Sequence, residues 1–230
     1  MIIITGTSRG IGRALAEHYL QAGKRVLGIS RTCALSHPNY THIDLDLGDE
    51  KAVKTFQFPD LSRESEVVFI HNAGTIGKIQ RVSDQHELDL KEVFQVNLFS
   101  GASLVHQLFI NLPLNKPLSV IFISSGAGKR PIPSWAAYCA SKEAVDLWLR
   151  TIHAEETEKG RLITCYAIAP GVVDTEMQKT IRRTPDNNFS SLDRFVELHE
   201  NNELRKPEDV AKKIAEMLDQ DSHDEIIVSF

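Results

Sequence analysis

Residues 5–12 read Thr5-Gly6-Thr7-Ser8-Arg9-Gly10-Ile11-Gly12, and they stand between the apolar run Ile2–Thr5 and an amphipathic segment. The order of apolar strand, glycine-rich turn and helix is typical of a phosphate-binding turn. Gly6 suits a tight backbone turn, Gly10 allows the main chain to approach a pyrophosphate, and Gly12 allows close packing of helix on strand. The helix that begins here offers unpaired N–H groups and a partial positive charge to phosphates. The first two glycines are more widely spaced than in the G-x-G-x-x-G form, and a purely structural turn is the alternative.

Short β-rich runs alternate with longer amphipathic segments along the whole chain of 230 residues. The predicted strands are Ile2–Thr5, Arg25–Ser30, Thr41–Asp44, Val67–His71, Leu118–Ser124, Leu162–Ile168 and Ile226–Val228. The predicted helices are Ile11–Ala22, Asp84–Asn111, Ala137–Lys159 and Glu208–Leu218. Such alternation predicts an α/β fold of the Rossmann type, a doubly wound, seven-stranded parallel sheet with helices on both faces. Because no repeat or flexible linker divides the pattern, residues 1–230 are predicted to form a single NAD(P)-binding domain.

One stretch, residues 174–206, is polar and shows no clear periodicity. A long irregular insertion inside a compact domain is usually functional or mobile. We therefore expect a substrate loop here, and we expect it to set specificity.

Composition argues against several classes of function. The formal net charge is -5 and the Lys and Arg residues are scattered, so no nucleic-acid-binding surface is expected. No uninterrupted apolar run approaches the roughly 20 residues of a membrane span, and no signal-peptide pattern is present, so we expect a cytoplasmic protein without a membrane partner. Cys33, Cys139 and Cys165 are too irregularly spaced for a disulfide framework or a zinc site, as expected in a reducing compartment. The histidines show no metal-binding spacing, so no metal is expected.

The residues after the second predicted strand bear on the choice of cofactor. A fold that prefers NAD usually has an acid there to hold the ribose 2′-hydroxyl, whereas this chain has Ser30-Arg31. Arg31, assisted by Arg9 of the glycine turn, is suited to pair with a 2′-phosphate through charge-assisted hydrogen bonds. The sequence therefore predicts NADPH/NADP+ as the cofactor. Two solvated surface arginines are the alternative.

A tyrosine and a lysine four residues apart form the candidate catalytic pair. Tyr138 and Lys142 lie near the start of a predicted helix, where this spacing puts both on one face. A phenol titrates near pH 10 and a neighbouring ammonium favours its ionised form, so we expect Lys142 to lower the pKa of Tyr138. Tyr138 would then exchange a proton with a carbonyl oxygen as hydride moves to or from carbon, while Ser125 would hold that oxygen. A packed Tyr beside a surface Lys is the alternative for the pair taken alone.

Together these motifs resemble those of the short-chain dehydrogenases/reductases over nearly the whole chain. Residues 5–12 resemble the family's cofactor turn, and Asp46-Leu47 resembles the pair that contacts adenine. His71-Asn72-Ala73-Gly74 resembles the Asn-Asn-Ala-Gly segment after the fourth strand, but it departs at His71, whose role stays open. Pro170-Gly171-Val172-Val173-Asp174-Thr175 resembles the loop that holds the nicotinamide carboxamide.

The resemblance also implies a set of site residues. It implies that Asn97 supports a proton-relay water beside Lys142. The catalytic residues are then Asn97, Ser125, Tyr138 and Lys142. The predicted cofactor-binding residues are Gly6, Ser8, Arg9, Gly10, Ile11, Gly12, Ser30, Arg31, Asp46, Leu47, Asn72, Ala73, Gly74, Tyr138, Lys142, Pro170, Gly171, Val173 and Thr175.

The residues around this tetrad resemble the sepiapterin reductase branch of the family, which includes bacterial benzil reductases. The similarity lies in residues 134–142 and in Asp174-Thr175-Glu176-Met177-Gln178. Members of the branch reduce carbonyl compounds, often vicinal dicarbonyls, with NADPH. The pterin-reducing members use an acid near the C-terminus, whereas this chain ends in Ile226-Ile227-Val228-Ser229-Phe230, with Asp224 and Glu225 further upstream. The resemblance therefore favours carbonyl reduction over pterin recognition.

The leading hypothesis is an NADPH-dependent reductase of vicinal dicarbonyls or aromatic ketones, with Tyr138 as the general acid. Two alternatives stay open, a catalytically silent NADP(H)-binding sensor or scaffold and an NAD-dependent alcohol dehydrogenase on the same fold. Trp135 either walls an aromatic pocket or packs against the preceding loop. The apolar faces of the predicted helices Asp84–Asn111 and Ala137–Lys159 exceed what one helix row buries, which suggests a homodimer or homotetramer.

Overall fold

The computed structural model describes residues 1–220 and 226–230, which form a seven-stranded sheet. The strands are β1 Ile2–Thr5, β2 Val26–Ser30, β3 Tyr40–Asp44, β4 Val67–His71, β5 Leu118–Ile123, β6 Ile163–Ala169 and β7 Ile227–Ser229. Their order is β3-β2-β1-β4-β5-β6-β7, and every neighbouring pair is parallel. The predicted fold class is confirmed, and the strand ends lie within about one residue of those predicted, well inside the usual uncertainty of strand boundaries.

Helices cover both faces of this sheet, because successive side chains of a strand point to opposite faces. The helices are α1 Gly10–Gln21, α2 Glu50–Thr55, α3 Glu87–Phe94, α4 Ser100–Asn111, α5 Ala136–Glu158, α6 Glu176–Arg182, α7 Leu192–Glu200 and α8 Pro207–Gln220. On one face, Ile4 belongs to the same apolar cluster as Leu15 of α1 and Ile214 of α8. On the other face, Ile3 shares a cluster with Leu104 of α4. The central strands are therefore buried on both sides.

The predicted helix Asp84–Asn111 is not uniform. A 3₁₀ turn at Val82–Asp84 precedes α3, and the backbone then takes π-helical geometry over Gln95–Phe99 before α4 begins. Single π-helical turns inside α-helices are frequent at functional sites. This one contains Asn97, which is buried.

The helical run Glu87–Asn111 is long and apolar enough to cross a membrane by length and composition alone, with a mean hydropathy of 1.3. The sequence pattern, in which polar residues interrupt the apolar ones, does not predict a membrane span here. The run is weak evidence for a membrane span, because the core helix of a soluble protein passes the same test. Leu104, Val105 and Leu108 of this run are fully buried in the cluster on one face of the sheet, so part of its hydropathy reflects its place in the core.

The stretch 174–206 is not irregular, so that part of the prediction is wrong, while its role in setting specificity stays a prediction. It folds into α6, a 3₁₀ turn at Asp186–Asn188, and α7. Phe189, Leu192 and Phe195 are buried in a third apolar cluster. The two helices have only seven and nine residues, so their periodicity does not stand out in a polar composition.

The position of the candidate site follows from this topology. β1 and β4 are adjacent, but the chain continues from β1 towards one edge of the sheet and from β4 towards the other. In such sheets a crevice opens outside the carboxyl ends of the strands at the point where the direction reverses. The segments that follow β1, β4, β5 and β6 therefore meet in one place.

Candidate active site

A cleft of about 710 Å³ lies at this point of the sheet, and with two exceptions every predicted site residue lines it. These lining residues are Gly6, Ser8, Arg9, Gly10, Ile11, Ser30, Arg31, Asp46, Leu47, Asn72, Ala73, Gly74, Ser125, Tyr138, Lys142, Pro170, Gly171, Val173 and Thr175. The exceptions are Gly12 and Asn97, which pack against residues of the cleft wall. The chain thus brings the predicted catalytic and cofactor segments together.

The glycine turn after β1 has a backbone conformation that other residues rarely adopt. Gly6 and Gly10 have positive φ angles of 74° and 56°. A Cβ at Gly12 would lie 2.3 Å from both Asn72 Nδ2 and the Gly6 carbonyl oxygen, so this glycine is needed for packing. Asn72 holds the turn, because its Nδ2 donates to the carbonyl oxygens of Thr5 and Gly6 at 3.1 and 3.3 Å.

The first turn of α1 has the features of an anion-binding helix start. Its N-cap residue, Arg9, makes no side-chain capping hydrogen bond, and the turn contains no acid. Because no side chain caps them, the first backbone N–H groups remain available to an anion. The helix dipole adds a partial positive charge. Thr175 of the opposite wall is close, because a Cβ at Gly10 would lie 3.3 Å from its methyl carbon. The start of α1 is therefore suited to bind an anion such as a phosphate.

The segment after β2 places a cation at the rim of the cleft. Arg31 is 69% exposed, and its Nη1 lies 3.9 Å from Asp46 Oδ2, which makes a weak ion pair. The Ser30 hydroxyl, by contrast, donates to the Thr32 carbonyl oxygen at 2.9 Å and lies 3.3 Å from Thr7 Oγ1. Ser30 is largely engaged within the turn, so Arg31 is the stronger candidate for recognising a phosphate.

Three candidate catalytic side chains converge in the cleft. Because α5 begins at Ala136, Tyr138 and Lys142 occupy successive turns of one helix face. Lys142 Nζ lies 5.7 Å from the centre of the Tyr138 ring and donates to the Ile123 carbonyl oxygen at 2.7 Å. Ser125 follows β5, and its hydroxyl lies close enough to the Tyr138 phenol to oppose the rise of the phenol's pKa. The two hydroxyl groups can therefore contact the same substrate oxygen.

Burial is the largest influence on the pKa values of Tyr138 and Lys142. The pKa of Tyr138 is raised above its ordinary value because burial disfavours the phenolate, and the hydrogen bond with Ser125 opposes this only in part. The predicted lowering by Lys142 is therefore wrong for this structure. Burial also lowers the pKa of Lys142 to about 8, with Asp146 acting in the opposite direction. At neutral pH the phenol is protonated, as a proton donor must be.

Asn97 lies beside the catalytic pair but does not line the cleft. Its Oδ1 accepts from the Thr75 amide at 2.8 Å, and its Nδ2 donates to the Thr75 carbonyl oxygen and to Ser141 Oγ, both at 2.9 Å. A Cβ at Gly74 would lie 3.4 Å from Asn97 Oδ1 and 3.6 Å from Lys142 Nζ. Asn97 thus links the loop after β4 to α5, and its support of a relay water stays a prediction.

His71, whose role the sequence leaves open, connects two parts of the site. Its Nε2 lies 3.0 Å from the Val96 carbonyl oxygen, and its Nδ1 lies 3.1 Å from Thr5 Oγ1. Burial lowers the pKa of His71 to about 3, so the ring is neutral. Because a carbonyl oxygen only accepts, Nε2 donates to Val96 and Nδ1 accepts from Thr5. His71 therefore ties the end of β1 to the π-helical turn that contains Asn97.

The loop after β6 closes the cleft from the other side. Arg205, which the sequence motifs do not include, holds this loop through its backbone. Its N–H donates to the Val172 carbonyl oxygen at 3.0 Å, and the Asp174 N–H donates to the Arg205 carbonyl oxygen at 2.9 Å. Val173 and Thr175 are thereby kept in the cleft wall.

Comparison with known proteins gives the family. The family model of the short chain dehydrogenases matches residues 1–186. Benzil reductase ((S)-benzoin forming) of Bacillus subtilis (strain 168) is 34% identical over 228 residues, which cover 96% of this chain and 93% of that protein. Sepiapterin reductase of Xenopus tropicalis is 31% identical over 252 residues, which cover 97% of this chain and 92% of that protein. The crystal structure of the KRED1-Pglu enzyme matches with a TM-score of 0.87 and 28% identity, covering 99% of each chain. The chain is a short-chain dehydrogenase/reductase.

Membership of this family confirms the resemblance stated from the sequence and makes the protein an oxidoreductase. The similarity to both a benzil reductase and a sepiapterin reductase also confirms the branch. Asp224 and Glu225, the acids upstream of the last strand, lie outside the described residues.

Aromatic residues form one side of the cleft, which we call the substrate side, and Phe189 and Phe195 among them lie outside the family's motifs. Trp135 stacks on Phe189 with ring centres 5.1 Å apart, and its ring centre lies 5.2 Å from that of Phe195 and 5.7 Å from that of Tyr138. Trp135 and Phe195 also line the cleft. Trp135 therefore both packs against the stretch 174–206 and walls the pocket.

One polar side chain on this side has unusual surroundings. Gln178 of α6 lines the cleft and is 2% exposed, yet neither Nε2 nor Oε1 has a hydrogen-bond partner among the described residues. Trp135 Nε1 is likewise buried without a partner there. A buried polar group without partners destabilises a protein by about 1–3 kcal/mol, so its retention suggests a function. Gln178 belongs to the segment 174–178 that resembles the branch, but its burial without partners is what identifies it as a candidate functional residue.

Proposed function

We propose that this protein uses NADPH to reduce carbonyl compounds, with aromatic ketones and vicinal dicarbonyls as its substrate class. The observation that carries the proposal is the convergence of Ser125, Tyr138 and Lys142 in the cleft that begins at the glycine turn Gly6–Gly12. This arrangement combines a place for a dinucleotide with a proton donor for a carbonyl oxygen.

Three parts of the cleft fit NADPH. The uncapped start of α1 suits the pyrophosphate, and the wall at Val173 and Thr175 suits the nicotinamide end. Arg31, with Arg9 in the same lining, suits the 2′-phosphate better than a free ribose hydroxyl. When bound, NADPH supplies the hydride that goes to the carbonyl carbon. The chain supplies the orientation and the proton.

The proton comes from Tyr138. The Ser125 hydroxyl donates a hydrogen bond to the carbonyl oxygen and holds it beside the phenol, which transfers its proton as negative charge develops there. Because burial raises the pKa of Tyr138, the phenol carries this proton throughout the neutral range. Lys142 Nζ, 5.7 Å from the centre of the phenol ring, stabilises the phenolate that remains.

The substrate class follows from the aromatic wall and from Gln178. Trp135 and Phe195 offer ring faces to an aryl group. Donation from Gln178 Nε2 to the second oxygen of a vicinal dicarbonyl would give this buried amide a partner. Because the amide is 2% exposed, the substrate has to part α6 from its neighbours to reach it. The Bacillus subtilis relative, by its name, reduces such a compound.

The proposal is tested by mixing the purified protein with NADPH and benzil and following the nicotinamide absorbance. We expect consumption of NADPH with formation of benzoin, and much slower consumption of NADH. Tight NADPH binding without turnover of any ketone or dicarbonyl would favour the silent sensor. Faster oxidation of alcohols with NAD would favour the alcohol dehydrogenase. Either result would overturn the proposed reaction.

We also propose that the chain works as a homodimer or homotetramer in the cytoplasm. Phe99 and Ile110 on the helical run 87–111 are 51% and 68% exposed, and Leu147 on α5 is 62% exposed. An isologous contact between copies would bury such side chains. We expect Leu147→Glu to shift sedimentation towards the monomer, and Leu162→Glu, at another exposed leucine, to leave it unchanged. Only monomer in the wild-type protein at micromolar concentration would contradict this.

A further inference from the structure

Asp146 is a buried acid behind the catalytic residues, and the mechanism above does not use it. It lies one turn after Lys142 on α5 and is 1% exposed. Its Oδ1 accepts from Ser124 Oγ at 2.6 Å, and its Oδ2 lies 2.7 Å from Lys129 Nζ. Ser124 directly precedes Ser125 in the chain. A single carboxylate thus contacts both segments that flank the candidate oxygen-binding serine.

The turn that contains Lys129 packs closely on the catalytic helix. This 3₁₀ turn, Gly126–Lys129, has Ser125 as its N-cap. A Cβ at Gly128 would lie 3.1 Å from the Lys142 carbonyl carbon, which is tighter than ordinary contact, so turn and helix lie directly against each other. The ion pair between Asp146 of α5 and Lys129 of the turn links the same two elements. It therefore holds the Ser125 segment at a fixed distance from α5.

Asp146 is also the acid that supports the charge of Lys142. The titratable groups around Lys142 are Tyr138, Glu143 and Asp146 on α5, Lys129 on the turn, and His71 on β4. Burial lowers the pKa of Lys142, and Asp146 raises it. His71 is neutral, and the exposed Glu143 pairs with Lys129 at 3.1 Å. Burial alone would lower the pKa of Lys129, but its bonds to Asp146 and Glu143 raise it.

We propose that Asp146 is a positioning residue for the reduction, which fixes Ser125 against the helix of Tyr138 and Lys142 and keeps Lys142 in its ammonium form. The reaction it serves rests on the proposed function. The titration of Lys142, however, is a property of the chain and is measurable without turnover.

The test is the substitution Asp146→Asn, which removes the charge and keeps an oxygen that can accept from Ser124. The titration of Lys142 is followed by NMR in protein labelled with ¹³C at lysine Cε, and Lys142→Met assigns the resonance. We expect the midpoint to move to lower pH by about one pH unit, because an opposite charge has been removed. The basic limb of the pH profile of kcat/KM moves in the same direction. Glu143→Gln, which removes the exposed carboxylate of the same helix, is the matched control and leaves both unchanged.

Lys129→Met provides a second measurement if Asp146→Asn does not fold. It leaves the charge of Asp146 without its cation, so the Lys142 midpoint moves to higher pH. An unchanged midpoint in folded Asp146→Asn protein overturns the proposal; where that variant does not fold, an unchanged midpoint in Lys129→Met does so. If the wild-type chain reduces no carbonyl compound, the proposed function fails by itself, and the NMR titration still decides whether Asp146 supports the ammonium.

Discussion

The two sides of the cleft are built in different ways. The cofactor side is shaped by backbone, since Gly6 and Gly10 take positive φ angles and Gly12 allows the turn to lie against Asn72. The substrate side is shaped by side chains, with Trp135 stacked on aromatic residues of the stretch 174–206. Backbone turns demand particular residue types at fixed spacing, whereas an apolar pocket can be filled by many combinations. The first side therefore leaves a motif of fixed spacing in the sequence, whereas Phe189 and Phe195 of the second side belong to no motif.

This difference implies that the two sides can be changed separately. Substitutions on the substrate side should alter stability and substrate choice while dinucleotide binding persists. Substitutions at the glycine turn or at Arg31 should alter dinucleotide binding with little effect on the aromatic cluster.

Tyr138→Phe, at the junction of the two sides, should have the largest effect. Loss of the proton donor should lower kcat for benzil about 10³-fold, or about 4 kcal/mol in barrier height. NADPH affinity, measured by fluorescence titration, should change little, because the ring and its packing remain. Tyr19→Phe, at a buried tyrosine outside the cleft lining, is the matched control. A variant that retains more than a tenth of the wild-type kcat would show that the phenol is not the acid.

Trp135→Ala should act mainly on the substrate side. Removing this 5% exposed side chain from its contacts with Phe189 and Phe195 should lower the free energy of unfolding by about 3–5 kcal/mol. In the folded protein the KM for benzil should rise, while the dissociation constant for NADPH should stay near the wild-type value. Chemical denaturation and fluorescence titration measure the two effects. Loss of NADPH binding by folded Trp135→Ala protein would show that the two sides are not separable.

The elements that the sequence predicts are those that depend on local order. The apolar run Ile2–Thr5 and the turn after it are recognisable because strand, glycine and helix follow one another within a dozen residues. The short helix α2 is missed although Asp49 caps it by accepting from the Ala52 N–H at 3.0 Å, because six residues show no clear period. Local signals of this kind need a minimum length to be distinguished from loops.

The remaining features depend on contacts between distant parts of the chain. Phe189 and Phe195 lie in a polar stretch, and only the fold brings them to Trp135. The raised pKa of Tyr138 has the same origin, because burial is set by all the surrounding elements. The spacing of Tyr138 and Lys142 predicts their common face but not the environment that governs their charges.

Arg31→Asp should act on the cofactor side alone. Loss of a charge-assisted bond of about 1.5–3 kcal/mol should raise the KM for NADPH about 10- to 100-fold, while NADH is used as well as before or better. Arg63→Asp, the same charge change at an exposed arginine outside the cleft lining, is the control. Initial rates with both cofactors measure the effect. An unchanged KM for NADPH would remove the argument for the 2′-phosphate.

Gln178→Leu should have the smallest effect on rate, and the effect should be confined to dicarbonyl substrates. If Nε2 holds the second oxygen of a dicarbonyl, kcat/KM for benzil should fall about tenfold, while that for benzaldehyde, which lacks a second oxygen, should change little. Gln107→Leu is a suitable control, because its Oε1 is also buried without a partner but the residue does not line the cleft. An equal loss with both substrates would rule out the proposed contact.

Stability distinguishes this role from simple packing. Replacing a buried amide that has no partner by an apolar side chain of similar size should leave the melting temperature unchanged or raise it. A residue kept only for the fold would show the opposite result. If Gln178 is retained to bind the substrate, Gln178→Leu should therefore raise the stability of the fold and lower the preference for dicarbonyls.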